Sequence, residues 1–151
     1  MTGNLYVTDA ETSAYKTSPY KNSMPSNTSD PSTVFHQLIT ALQQVLPSAN
    51  LAKTYVPLLS KPNQPFYLWL IDPDFCHEDL TLAVIENLWK NCPYWVFAWA
   101  SGQVLAQYIL QQPQMVRNKV VMDFGAGSGI VGIAAKMAGA KRVICCDIDS
   151  M

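Results

Sequence analysis

An α/β protein built around parallel strands is predicted by three observations, all C-terminal to Lys119. An apolar run, Val120-Val121-Met122, ends in Asp123 and a glycine-rich turn, Phe124-Gly125-Ala126-Gly127-Ser128-Gly129. A helical pattern follows at once, from about residue 128 to Ala138, with Gly139 placed to close it. A second apolar run, Arg142 to Asp147, ends in another acid. Strand, turn, helix and strand in this order make a βαβ unit, which is right-handed and parallel.

The elements before it are read in chain order. Residues 1–30 are rich in Ser, Thr, Asn and Pro and are expected to form a disordered tail. Asp30 as cap and Pro31 at the first helical position open a helix whose stripe is Val34, Phe35, Leu38, Ile39, Leu42, Val45 and Leu46. Pro47 ends it. Leu51 to Pro65 contains three prolines and is expected to hold at most a short extended piece. Phe66 to Ile71 reads as a strand stopped by Asp72-Pro73, and Asp79 to Lys90 as an amphipathic helix. An aromatic connector, Pro93-Tyr94-Trp95-Val96-Phe97-Ala98-Trp99, leads to Ser101, which is expected to cap a helix running to Gln112. The expected organisation is a tail (1–30), a mixed α+β extension (31–92) and the first part of a cofactor-binding domain (93–151).

Composition excludes some partners. A net charge of −1 gives no electrostatic reason to bind nucleic acid or an anionic membrane. No apolar run nears the roughly 20 residues that span a bilayer, and no secretory leader opens the sequence, so a cytoplasmic location is expected. Cys76, Cys92, Cys145 and Cys146 lack zinc spacing and are read as buried thiols; with only His36 and His77 beside them, no metal site is expected.

The glycine turn lets a ligand approach the backbone where a Cβ would collide. Two ligand classes compete for it. The dinucleotide pattern Gly-x-Gly-x-x-Gly, counted from Gly125, needs a third glycine where Ile130 stands; counted from Gly127 it is met by Gly129 and Gly132, but further from the strand. S-adenosylmethionine carries no pyrophosphate and needs an acceptor for two ribose hydroxyls. Asp147, 22 residues beyond Gly125, stands where that acceptor belongs, and Asp123 before the first glycine favours the methyl donor. Trp99 either faces the ligand, where an indole face attracts a sulfonium by about 0.5–2 kcal/mol, or packs inside; Phe97 is expected to pack inside.

The aromatic block through Ser101-Gly102-Gln103-Val104-Leu105-Ala106, followed by Val121-Met122-Asp123-Phe124-Gly125-Ala126-Gly127-Ser128-Gly129, resembles class I methyltransferases. The nearest group is similar to the lysine methyltransferases of the electron-transfer-flavoprotein β subunit, the ribosomal-protein lysine methyltransferases and nicotinamide N-methyltransferase-like proteins. The resemblance covers about residues 66–151. It implies a Rossmann-like sheet with seven strands in the order 3-2-1-4-5-7-6, of which the first two are expected here. It implies that Asp123, Gly125, Ala126, Gly127, Ser128 and Gly129 line the methionine part of S-adenosylmethionine. Asp147 would hold the ribose, and Trp99 and Ser101 would close the site. Ala100 stands where the family commonly has proline. The implied activity is methyl transfer to an amine, of a protein lysine or a small molecule. No general base is expected among these residues, and an N-terminal portion alone is expected to be inactive. A nicotinamide-dependent oxidoreductase and a non-catalytic binding module are the alternatives.

Overall fold

The structure, a computed structural model, describes residues 5–8, 31–78 and 80–148. Five strands and four longer helices are described: β1 (Leu5–Thr8), α1 (Pro31–Val45), β2 (Leu51–Tyr55), β3 (Tyr67–Ile71), α2 (Leu82–Lys90), α3 (Ala100–Gln111), β4 (Val120–Phe124), α4 (Ile130–Met137) and β5 (Arg142–Cys146). They form a three-stranded sheet in the order β1-β5-β4 and a separate hairpin of β2 and β3. The α/β class and the parallel β4–β5 pair stand as expected. The seven-strand order lies beyond what the described residues contain.

Two expectations need correction, the tail at Leu5–Thr8 and the start of α2. Leu5–Thr8 is a strand, paired antiparallel with β5 from Leu5↔Cys146 to Thr8↔Val143, where a disordered tail is expected. Its Leu-Tyr-Val-Thr sequence has strand propensity, and the outer edge of β5 supplies the backbone partners that composition cannot reveal. Residues 1–4 and 9–30 of that tail, with Asp30, lie outside the described residues. The short extended piece expected after Leu51 is the strand Leu51–Tyr55, in register from Leu51↔Ile71 to Tyr55↔Tyr67. The three prolines all fall after it, in the connection that holds the short 3-10 turn Pro57–Leu59. Finally, α2 begins at Leu82, because Thr81 is its cap, its hydroxyl accepting from Val84 N at 3.3 Å.

Packing ties the first helix to the hairpin and the aromatic connector, and the segment after β2 to the βαβ unit. Leu42, Leu46, Ala49 and Leu51 share one core with Trp95 and Val96 of the aromatic connector. Val56 and Leu59 share another with Ala106, Ile130 and Ala134. The third, under the sheet, joins Ile109 and Val116 to Ala135, Ala138, Ala140 and Val143. Helices α3 and α4 cross closely because Gly102 has no Cβ: one there would stand 3.1 Å from Ile130 Cγ2. The opposite side of β4 is open among the described residues, with Val120, Met122 and Phe124 exposed. No described helix is long and apolar enough to cross a membrane.

Candidate functional site

The parallel register places Asp123 opposite Cys145 and Phe124 opposite Cys146, so Gly125 and Asp147 leave the same end of the sheet side by side. That is the carboxyl end of the strands, where ligands bind in open α/β sheets. Gly125 and Ala126 donate their backbone N–H groups to Cys146 O at 2.8 and 3.0 Å, folding the turn over the end of β5. Asp147 completes the closure: its Oδ2 accepts from Gly127 N at 2.7 Å. Gly125, Gly127 and Gly129 all have positive φ, at 72°, 50° and 73°. A chain of L-residues with side chains would pay roughly 1–2 kcal/mol at each such position. A Cβ on Gly125 would meet nothing within 4 Å, so this side of the turn is open to a ligand.

The helix behind the turn starts two residues later than expected. Gly129, in the left-handed conformation, is the N-cap, and no side chain caps α4. Ser128 therefore belongs to the turn, half-buried, as does Ala126. The first N–H groups of any helix lack partners one turn back, which makes this end a donor surface. One of them is already taken: Gly132 N donates to Asp123 Oδ2 at 2.7 Å. The two acids thus hold the turn from both ends, Asp147 at Gly127 and Asp123 at Gly132.

Gly132 is the residue that sequence reasoning undervalued. A Cβ there would lie 2.6 Å from Cys145 Sγ, 3.1 Å from Asp123 Oδ2 and 3.2 Å from Val143 Cγ1. The helix rests on β5 at a distance only glycine permits. The shifted Gly127-x-Gly129-x-x-Gly132 reading carried this signal, since its third glycine has the helix-packing task.

Burial pushes the Asp123 carboxyl above the usual carboxylate range, the Gly132 N–H partly offsets this, and the charge of Asp147 adds to the rise. Burial likewise raises the Cys145 thiol, with Asp123 and Cys146 contributing. For Asp123 the sign is definite. A carboxyl whose folded pKa is raised costs stability once both states are ionised, and that cost vanishes in acid, below the unfolded value of about 3.9. Asp123→Asn keeps an oxygen for Gly132 N–H without the charge. It is expected to melt above the parent near neutral pH, with the difference shrinking to nothing as pH falls below that value. Thermal melts of both proteins across this range check it; a gain that persists in acid contradicts the assignment.

The aromatic connector reaches the turn through Tyr94. Its carbonyl oxygen lies 3.9 Å from where a Cβ on Gly127 would stand, and it accepts from Trp99 Nε1 at 2.8 Å. Trp99 is half-exposed and packs on Tyr94 and Phe97, with ring centroids 5.9 and 5.3 Å away. Its edge is fixed while its ring stays accessible. The connector is anchored in the core by Trp95 and Val96, not by Phe97, which is 37% exposed. A 3-10 turn over Tyr94–Val96 buries Trp95 and Val96 and leaves Phe97, just after it, at the surface. Ser101 is not a cap: α3 begins at Ala100 after Trp99, and Ser101 is exposed in its first turn.

Beside Asp147 a cleft of about 740 Å³ opens between α1, α2 and the connector, with Tyr94, Trp95 and Ile148 on its walls. Its volume is typical of small-molecule sites. The thiols are less buried than expected: Cys76 is exposed and Cys92, Cys145 and Cys146 are intermediate, all free. Among the described residues no group of His, Cys, Asp and Glu could hold a metal ion.

Residues 103–151 match the family described as ribosomal protein L11 methyltransferase (PrmA). The chain is 48% identical over 64 residues to the electron transfer flavoprotein beta subunit lysine methyltransferase of Homo sapiens, a match covering 42% of this chain and 24% of that protein. It is 35% identical over 82 residues to the Caenorhabditis elegans homolog of that enzyme, covering 54% and 29%. A protein N-terminal and lysine N-methyltransferase of Schizosaccharomyces pombe is 34% identical over 92 residues, covering 60% and 34%. The chain thus spans about a quarter to a third of the length of these curated relatives. No solved structure matches it significantly.

Proposed function

We propose, for a chain that belongs with the class I S-adenosylmethionine-dependent methyltransferases, that the glycine turn and Asp147 bind S-adenosylmethionine for methyl transfer to a protein lysine. The observation that carries this reading is the bond from Gly127 N to Asp147 Oδ2, which sets a carboxylate beside an open glycine turn. A carboxylate offers about four lone-pair positions, so it can hold Gly127 and accept from ribose hydroxyls together.

The residues present fit this cofactor. The turn from Gly125 to Gly129 offers close backbone contact to the amino-acid end, with no side chain in the way at Gly125. The half-exposed Trp99 ring offers a face to a cation. Ser101, exposed on the first turn of α3 two residues after Trp99, is proposed to close the site from this side. Asp123 acts through Gly132, holding α4 in place behind the turn. The donor, when bound, supplies an already activated methyl group. This chain's share of catalysis is then to bind and orient, which in well-aligned reactions accounts for about 7–11 kcal/mol of a barrier. No described side chain is assigned as a base.

The proposed substrate is an amine of a protein, and the relatives' names make the electron transfer flavoprotein beta subunit the first to try. With labelled donor and a full-length protein carrying this chain, label is expected on lysine of that subunit, and Asp147→Ala is expected to abolish it. Label appearing only on small amines overturns the protein-substrate reading. A second reading has one observation in its favour: Gly132 performs the packing task of the third dinucleotide glycine. It predicts NAD binding at this turn, with no affinity for S-adenosylmethionine.

A further inference from the structure

We infer that Asn91 reads the 6-amino edge of an adenine ring bound in the cleft beside Asp147, and so makes the site selective for 6-aminopurines. The inference rests on the methyl-donor reading for the ring's attachment, and goes beyond it in naming a recognition residue outside the βαβ unit.

Two residues link the cleft to the glycine turn. Asp147 lines the cleft and also holds Gly127, and Tyr94 lines it while its carbonyl lies over Gly127. A ligand lying along the turn and bonding Asp147 through its ribose therefore directs its base into this space. Tyr94 and Ile148 on the walls are both exposed, giving apolar surface for a flat ring to cover.

What reads the ring's edge is a relay of carboxamides. Asn87 Nδ2 donates to Gln44 O at 3.2 Å, tying α2 to α1. Asn91 Nδ2, one turn along, donates to Asn87 Oδ1 at 2.8 Å. The relay fixes which end of the Asn91 amide is which. One N–H is committed to Asn87, leaving the Oδ1 acceptor and the second N–H for a ligand in the cleft that Asn91 lines. An acceptor beside a donor is the complement of adenine's N6 amine and ring nitrogen, the pairing by which Asn recognises adenine. A 6-oxo purine would set its carbonyl oxygen against Oδ1, leaving both unpaired.

The test compares S-adenosylhomocysteine with S-inosylhomocysteine, which differ only at the 6-position, by calorimetric binding. The parent is expected to prefer the adenosyl compound by about tenfold to a hundredfold. Asn91→Ala is expected to bring the two affinities together, with an unchanged circular dichroism spectrum, while Asn91→Asp, which keeps the acceptor, retains an adenosyl preference. If Asn91→Ala keeps the parent's ratio, the inference is overturned and the methyl-donor reading stands. If the parent binds neither compound, both fall.

Discussion

Gly132→Ala lowers the melting temperature and weakens S-adenosylmethionine binding together, and adding Cys145→Ala restores most of both. The first effect follows from a Cβ that would sit 2.6 Å from Cys145 Sγ and 3.2 Å from Val143 Cγ1. Overpacking of this kind costs about 1–3 kcal/mol, against which Ala regains up to about 1 kcal/mol of helix propensity. Gly132→Val exceeds both limits and is expected to prevent folding of the βαβ unit. The second effect follows from the bond between Gly132 N and Asp123 Oδ2. Lifting α4 off the sheet stretches that bond and shifts the turn that begins the helix. Cys145→Ala removes the sulfur that the new methyl meets, so the double mutant measures the clash directly as a coupling energy. Additive effects would show that the helix does not rest on β5 at this point.

Asp147→Ala is expected to reduce S-adenosylmethionine affinity at least a hundredfold. A bond to a charged group is worth about 1.5–3 kcal/mol, and this carboxylate is assigned two tasks, Gly127 and the ribose. Asp147→Asn separates them. Its side-chain oxygen still accepts from Gly127 N–H, so the turn stays closed, but the charge offered to the ribose hydroxyls is gone. An intermediate loss of roughly tenfold is expected, with a melting temperature near the parent's. If Asn and Ala lose equally and both melt early, the acid serves the turn alone. Titration calorimetry with parallel melts distinguishes these outcomes.

Much of the C-terminal unit was legible from residue types. The apolar runs, the glycine turn and the two acids fixed strand, turn, helix and strand to within two residues, because each boundary carries its own chemical signal. Gly125, Gly127 and Asp147, the candidate site residues, stand together as the parallel register requires. Other features depended on contacts between distant segments. Leu5–Thr8 has the propensity of a strand, but only the free edge of β5 makes it one. The extended piece at Leu51–Tyr55 pairs with β3 over its whole length, a partner that its own residues do not name. The task of Gly132 is set by Cys145 and Val143, which approach it across the sheet. Tyr94 enters the site by its carbonyl oxygen, a group every residue has, so its identity gave no hint. Asn87 in α2 and Asn91 just past its end carry no motif, and only the cleft they line together with Asp147 singles them out.

The most direct test is equilibrium binding of S-adenosylmethionine and NAD, separately, to the purified protein, with Asp147→Ala as control. The glycine turn and its carboxylate predict saturable binding of S-adenosylmethionine, lost in the variant, and no binding of NAD. Binding of NAD without S-adenosylmethionine, or equal S-adenosylmethionine affinity in parent and variant, would contradict the assignment of this turn to the methyl donor.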